Sequence, residues 1–528
     1  MGFLLALTPL LIVLVGIVYL KQSGAKMAIV GLLVAVLLAC TYFHTSLEVA
    51  VGATVFGIIK ALGISVAVIF TMLMIFVMKE SGALATIADA IKRVAHTREE
   101  QALFIGMGFG SFVTSLGAVT PALFPPLLMA IGFTPFAAVS VAVLGYDPLT
   151  SFALLAIPIS IPADASAGML GPAAAFTAQE LAFKIAIYLP MISVGLAFAM
   201  LWIIGGRPAM RRGAVPALIS GLVISLSALT FVMIGVPVRI VGVLAGLLAM
   251  MFLYVYHRYS KNQRLHKREW EPLDRRKLLR AISPWLFLIL FAIIISVPAV
   301  GDFLADIPGS LETFVVFANQ DIDLNIFNQI YFWILVALVV SLPVLRPTRE
   351  QLDRAFKTWT RTLWGPFVAY SVYFSIAYVM FFSAMVISIN GDLLPGSHYY
   401  SHNMDVVVGV TLAGIFGIGF IFISASLGLF GAVVGGSETA SNVMFMKIQH
   451  RASVDIGLNQ DQFMTMYGAH AAGGGIASAM TPAKINNAVA TIDAGRSLES
   501  RVMRKHMVIA ITLVLLTGIL TGIFIGLS

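Results

Sequence analysis

The sequence predicts an all-α polytopic membrane protein: about twelve transmembrane helices plus re-entrant hairpins, in two inverted repeats with broken helices. Three observations carry this. Hydrophobic residues make up 59% of the chain and charged residues only 11%, where soluble domains hold roughly 25% charged. Apolar runs of spanning length, roughly 17–25 residues, recur from end to end. Two regions at corresponding positions interrupt them with Gly, Pro and hydroxyl residues, the best sequence pointer to a transport site.

The runs fall at 3–20, 27–43, 51–78, 134–159, 180–204, 215–234, 237–256, 282–300, 328–345, 364–389, 405–430 and 507–527. The first has no basic residue before it and Lys21 and Lys26 after it. A secretory signal shows the opposite flanks, so this run reads as a retained helix entering from outside. Basic loops face the cytoplasm: Lys79–Arg98, Arg207–Arg212, His257–Arg280, Arg346–Arg361 and Arg496–Lys505. Loops 301–325 and 390–405 are poor in basic residues and carry Asp302, Asp306, Glu312, Asp321, Asp323 and Asp392; they are expected outside, with both termini. Segment Ser81–Ala95 has the pattern of an interfacial amphipathic helix. The expected organisation is a first half, 1–256, with its broken region at 101–162. A basic cytoplasmic linker, 257–281, follows, then a second half, 282–528, broken at 431–494.

The punctuation of the two halves corresponds. The first has Gly106–Pro126 and then GYDPLTSFALLAIPISIP (Gly145–Pro162); the second has Gly431–Asn442 and then GAHAAGGGIASAMTPAKINN (Gly468–Asn487). Backbone broken inside a bilayer is tolerated only when buried in protein or lining a cavity. A half-helix that starts there exposes unsatisfied N–H groups and the positive end of its dipole, where an anion can dock. Thr114, Ser115 and Thr120 in the first half, and Ser437, Thr439, Ser441, Asn442 and Thr481 in the second, are the candidate substrate-binding residues. Lys484 could complement a substrate carboxylate or pair with Glu438. Glu438 is the first candidate for proton coupling, because a low-dielectric site favours the neutral form of a carboxyl group. Asp147, beside Pro148, is the second. His470 is the third, with a hydrogen-bonded structural role left open. Tyr370, Tyr373 and Tyr378 lie in one apolar span and could offer hydroxyls to a cavity or pack between helices.

These residues resemble the L-lactate permease family. Gly435–Phe445, GGSETASNVMF, is similar to the family's Gly-Ser-Asp-x-Ser-Ser-Asn-x-x-Phe run, and Gly473–Ile485 to its glycine pair followed by Ser/Thr-Pro-x-x-Ile. In the first half GFGSF (Gly108–Phe112), GFTP (Gly132–Pro135) and AIPI (Ala156–Ile159) match its pattern in order, as does the lead-in Lys79–Leu84. The chain departs from the family at Thr114-Ser115 in place of Glu-Gly, at His470 in place of Asn, and at Ser478 in place of Lys. Lys484 stands two residues beyond Pro482, and Glu438 replaces an aspartate. The resemblance implies a secondary transporter carrying lactate-like 2-hydroxymonocarboxylates, glycolate included, with protons across the cell membrane. It also leans toward an elevator motion over rocking.

Other classes fit the sequence less well. A sodium-coupled carboxylate transporter of similar architecture is the alternative, since Ser, Thr and Asn oxygens also bind sodium. A channel needs a continuous lining of charge or carbonyls, and the polar residues here are clustered. An enzyme is not expected, for no His-Glu-x-x-His, Gly-x-Gly-Asp or Gly-x-Ser-x-Gly stands beside a helix break. No Walker phosphate loop is present. The lone Cys40 excludes disulfides and a cysteine-built metal site, and no cofactor is expected. The net charge of +8 sits between spans, so it reads as a topology signal and not as nucleic-acid binding. The expected partners are a small carboxylate, protons or sodium, and membrane lipids, with a homodimer possible in principle.

Overall fold

The computed structural model describes residues 1–527 except Lys21, 93–96, 118–119, 260–273, 308–312, Gly436, 482–483, 486–487, 490–491 and 493–495. The chain opens with α1 (Gly2–Val18), α2 (Gly24–Thr41), α3 (Leu47–Lys60), α4 (Leu62–Glu80) and α5 (Ala83–Lys92). Next come α6 (Arg98–Leu103), a π-helical stretch Phe104–Gly110, α7 (Ser111–Ser115), α8 (Thr120–Ala130) and α9 (Pro135–Leu144). A 3-10 turn, Asp147–Phe152, leads into α10 (Ala153–Leu170), and α11 (Ala178–Ala186), α12 (Leu189–Arg212), α13 (Ala214–Met233) and α14 (Val238–Tyr259) follow.

Beyond the linker lie α15 (Arg275–Ile295), α16 (Pro298–Ala305), the antiparallel pair β1 (Thr313–Phe317) and β2 (Gln320–Asp323), and α17 (Ile330–Leu345). Then come α18 (Arg349–Thr362), α19 (Trp364–Phe382), a second antiparallel pair β3 (Met385–Ile387) and β4 (Leu393–Pro395), and α20 (Tyr399–His402). The last helices are α21 (Met404–Phe416), α22 (Phe420–Gly435), α23 (Glu438–Asp455), α24 (Gln460–Ile476) and α25 (Arg496–Leu527).

This is the helical, polytopic architecture expected. Among the described residues, ten helical stretches are long and apolar enough to cross a membrane, and Gly2–Ile17 and Ile330–Leu345 are shorter apolar helices. Several expected spans are not single helices. The run 134–159 breaks into α9 and α10, and Leu154, Leu155 and Ala156 take left-handed φ values of 51°, 55° and 64°. The run 51–78 divides at Ala61, and 405–430 turns at Gly417, where φ is 51°. The run 364–389 ends as a helix at Phe382; the Ser383 hydroxyl accepts from Met404 N–H at 2.8 Å and the chain turns into β3. Hydropathy reports depth and not backbone continuity, so such breaks are invisible to it. The amphipathic segment forms α5, with Ala83 and Ile87 in the core. Most of the basic linker lies outside the described residues.

Loops expected on one side of the membrane meet in space. At one end Asn319 donates to Asp392 at 2.9 Å and the Ala384 N–H to Thr45 at 3.0 Å. His44, His398 and His402 gather there too, with ring centroids 4.6 to 5.5 Å apart. At the other end Arg354 meets Glu80 at 2.8 Å, Arg212 meets Glu99 at 2.6 Å, and Arg280 donates to the Leu345 carbonyl at 2.8 Å. The second set is the basic one, built from the loops expected to face the cytoplasm.

Glycines let the broken segments close on one another. A Cβ on Gly145 would stand 2.4 Å from the Gly106 Cα, one on Gly428 1.8 Å from the His470 carbonyl oxygen, and one on Gly473 2.1 Å from that of Ala425. Helices in membranes associate through such small-residue contacts, where backbones approach closely. Gly428→Ala therefore forces α22 and α24 apart and should cost about 1–3 kcal/mol, seen as a lower melting temperature in detergent. Gly414→Ala, with open space at its Cβ, should melt like the native protein.

Candidate functional site

Two pairs of helical segments lead toward the middle of the molecule. In the first, α8 follows the π-helical stretch and α7, with the Phe109 and Phe124 rings 5.5 Å apart. In the second, α23 returns beside α22: Ser424 meets Gln449 at 3.3 Å, and Ser441 donates to the Gly428 carbonyl at 3.1 Å. Gly117, at the turn of the first pair, has φ of 95° and leaves room for Thr71 of α4. Ser437 begins α23 in an extended conformation, and its hydroxyl makes no capping bond. The first N–H groups of α23 are thus left without that partner. Tyr370 of α19 lies beside the Ser437 hydroxyl.

Between these turns the polar residues of both regions converge. The Glu438 side chain lies over Gly474 and Gly475, where a Cβ on Gly475 would stand 3.2 Å from Oε2 and 3.5 Å from the Ser151 hydroxyl. Lys484 donates to Ser478 at 2.5 Å and stands 5.4 Å from the centre of the Tyr146 ring. Its field reaches both Asp147 and Glu438, and the two carboxylates feel each other. Asp147 and Glu438 are each only 3% exposed. Among the described residues, no hydrogen bond of good geometry reaches either carboxylate, the Tyr146 hydroxyl or Asn442 Oδ1, although Ser151, Thr150 and Ser478 lie beside Glu438, Asp147 and Tyr146 in turn. Buried polar groups are nearly always paired, and a charge in such surroundings costs far more than a neutral dipole. Four residues that stand apart from this rule side by side mark the candidate site.

The candidate residues divide into those that reach this cluster and those that do not. Glu438, Asp147, Lys484, Asn442 and Ser437 belong to it or border it. Asn442 Nδ2 donates to the Pro158 carbonyl at 3.0 Å, tying the second region to the first. Thr439 is buried within α23. Thr481 turns back to the Ala477 carbonyl at 2.8 Å. Ser115 bonds to the Ser111 carbonyl at 2.9 Å, and its hydroxyl packs where a Cβ on Gly242 would lie. Thr114 is buried with its hydroxyl unpaired; Thr120 opens α8. Ser441 and His470 form a separate network. Gln449 Nε2 donates to His470 Nδ1 at 2.9 Å, which leaves His470 Nε2 to donate toward Ser441, 3.3 Å away. The ring stacks on Tyr467 at 5.8 Å. Both of its nitrogens are thus engaged by structure.

Several site residues were not singled out from the sequence. Tyr146, Thr150 and Ser151 flank Asp147 in the very run that was, but hydroxyls in apolar helices so often bond to their own backbone that they carry little signal. Ser478 is the partner of Lys484. Asp405, buried, and Lys447, partly buried, form a second charged neighbourhood: Lys447 donates to the Phe381 carbonyl at 3.1 Å and faces that ring at 4.1 Å. Asp405 opens a continuous apolar run and Lys447 lies between the Gly/Pro-punctuated stretches Gly431–Asn442 and Gly468–Asn487, which is why the pattern passed over them.

Comparison with known proteins gives the family of the chain. The sequence matches the family model described as L-lactate permease over residues 2–527. An L-lactate permease of Halalkalibacterium halodurans is 25% identical over 514 residues, covering 95% of this chain and 92% of its own length. One of Bacillus subtilis is 23% identical, covering 98% and 95%. The crystal structure of the Alcanivorax borkumensis YdaH transporter aligns over 90% of this chain and 87% of its own at 12% identity and a TM-score of 0.42, too remote to bear on the site. Matched along nearly its whole length, the chain belongs to the L-lactate permease family.

Proposed function

We propose that this protein is a proton-coupled symporter of L-lactate and related 2-hydroxymonocarboxylates such as glycolate, working by alternating access. The observation that carries the reading is the set of unpaired buried groups, Asp147, Glu438, Tyr146 and Asn442, around a single cation, Lys484. The helix pairs that turn at Gly117 and at Ser437 act as re-entrant hairpins of two inverted repeats. The substrate carboxylate binds between Lys484 and the open N-terminus of α23, where fixed N–H dipoles favour an anion. The names of the related permeases support the substrate, and the chemistry of the cluster supports the coupling.

The coupling follows from charge balance. With Lys484 charged and both carboxylates ionised, the empty site carries one net negative charge. One proton on Asp147 or Glu438 makes it neutral, the form a low-dielectric interior favours. An arriving carboxylate substrate brings a negative charge back. A second proton, on the remaining carboxylate, restores neutrality. Substrate and proton therefore enter together, one of each, and the site is neutral both when it returns empty and when it crosses loaded.

Two experiments test this in proteoliposomes. Under an inward proton gradient, native protein should accumulate labelled L-lactate. The double variant Glu438→Gln/Asp147→Asn, lacking both sites for the travelling proton, should lose proton-gradient-driven uptake by about tenfold or more while retaining lactate–lactate exchange. Either single variant, which keeps one titrating carboxylate beside Lys484, should retain coupled uptake. No lactate uptake under a proton gradient, with uptake under a sodium gradient, would transfer the coupling to sodium. No uptake under any gradient would remove the substrate assignment. In the second experiment, clamping the membrane potential with potassium and valinomycin should leave the native uptake rate unchanged. A rate that follows the potential would contradict the one-to-one balance.

A further inference from the structure

We infer that the phenols of Tyr146 and Tyr370 read the 2-hydroxyl of the substrate and so select 2-hydroxymonocarboxylates over unsubstituted ones, an inference that rests on the carboxylate site proposed above. A 2-hydroxyl sits on the carbon next to the carboxylate. Its partners must therefore stand beside the groups that hold the carboxylate. Tyr146 meets this condition through its ring, 5.4 Å from Lys484 Nζ. Tyr370 meets it through its phenol, beside Ser437 at the start of α23. The two phenols are also close enough to feel each other's charge. Among the described residues no hydrogen bond of good geometry reaches the buried Tyr146 hydroxyl, and its neighbour Ser478 is already the partner of Lys484, so the phenol can turn to a substrate hydroxyl.

The other two tyrosines of α19 are occupied elsewhere. Tyr373 donates to the Gly24 carbonyl at 3.4 Å, and Tyr378 packs against Phe56 at 5.0 Å and Phe382 at 5.9 Å. Tyr370 alone among them turns toward the site. A phenol both donates and accepts, so one of the pair can donate to the substrate hydroxyl while the other accepts from it. A phenol also adds no charge and leaves the proton balance of the site untouched. Propionate, which has the carboxylate and no hydroxyl, would leave the buried Tyr146 phenol without the partner the substrate hydroxyl supplies and Tyr370 with only Ser437 beside it. A site built to hydrogen-bond a substrate hydroxyl rejects the analogue that lacks it for this reason.

The test is competition for labelled L-lactate uptake by unlabelled glycolate and propionate, in native protein, Tyr146→Phe, Tyr370→Phe and Tyr373→Phe. Native protein and Tyr373→Phe should prefer glycolate to propionate strongly. In Tyr146→Phe and Tyr370→Phe that preference should fall about tenfold, through weaker competition by glycolate and stronger competition by propionate. Should either variant bind but not transport, displacement of labelled L-lactate from detergent-solubilised protein measures the same ratio. Native protein that transports lactate without preferring 2-hydroxy acids, or Phe variants that keep the native preference, would overturn this inference and leave the transport reading standing. Native protein that moves no lactate at all would overturn both.

Discussion

Breaking a helix inside a bilayer strands backbone N–H and C=O groups where no water can reach them, and most of this molecule is what encloses them. An unsatisfied backbone group in hydrocarbon costs several kcal/mol, so the turns at Gly117 and Ser437 exist only because other elements wall them in. Thr71 of α4 covers the first, and Tyr370 of α19 covers the second. Those two helices are themselves joined, by Ser65 and Ser371 at 3.2 Å and by Trp359 of α18 donating to the Ile69 carbonyl at 2.7 Å. Glycines at 106, 145, 428 and 473 provide the rest of the enclosure by letting backbone touch backbone. The polar site is thus a by-product of packing as much as of its own residues.

Enclosure decides which chemistry the site can hold. A Glu and an Asp beside one Lys would be an ordinary ion cluster at a surface, worth little and screened by salt. Buried to 3% exposure without hydrogen bonds, the same three groups cannot all keep their charge at small cost. The hydroxyls of Ser151 and Thr150 stand beside Glu438 and Asp147, but no bond of good geometry from a described residue reaches either carboxylate.

The sequence made the architecture legible because burial in lipid is written in composition: long apolar runs, basic loops, and two interruptions that stand out against them. It made part of the site legible for the same reason, since Glu438, Asp147 and Lys484 are charges where charge is expensive. It did not disclose where helices break without a change in hydropathy. Leu154, Leu155 and Ala156 are apolar residues in left-handed conformations, and nothing in their chemistry announces that. Nor could it separate the hydroxyls that face the site from those that cap their own helix. Ser437 and Thr481 are both hydroxyl residues at helix breaks, yet Thr481 bonds to the Ala477 carbonyl while the Ser437 side chain leaves its helix uncapped. His470 reads as a titratable group in sequence, and only its neighbours Gln449 and Ser441 tell that both nitrogens are spoken for.

The pattern of hydrogen bonds also constrains how the site can be opened to each side in turn. Asn442 ties α23 to the Pro158 carbonyl of α10, Lys184 of α11 meets Asp461 of α24 at 2.6 Å, and Tyr188 donates to the Thr465 carbonyl at 3.0 Å. Rocking one broken region against the other would sever the buried Asn442 bond, where an abandoned partner costs about 1–3 kcal/mol. Carrying both regions together past α4 and α19 keeps it. What must then be exchanged is the boundary with α4 and α19, which includes Thr71, Tyr370 and the Lys447 bond to the Phe381 carbonyl at 3.1 Å. Any opening of the site therefore breaks bonds on one boundary or the other, and the buried Asn442 bond is kept only where both broken regions travel together.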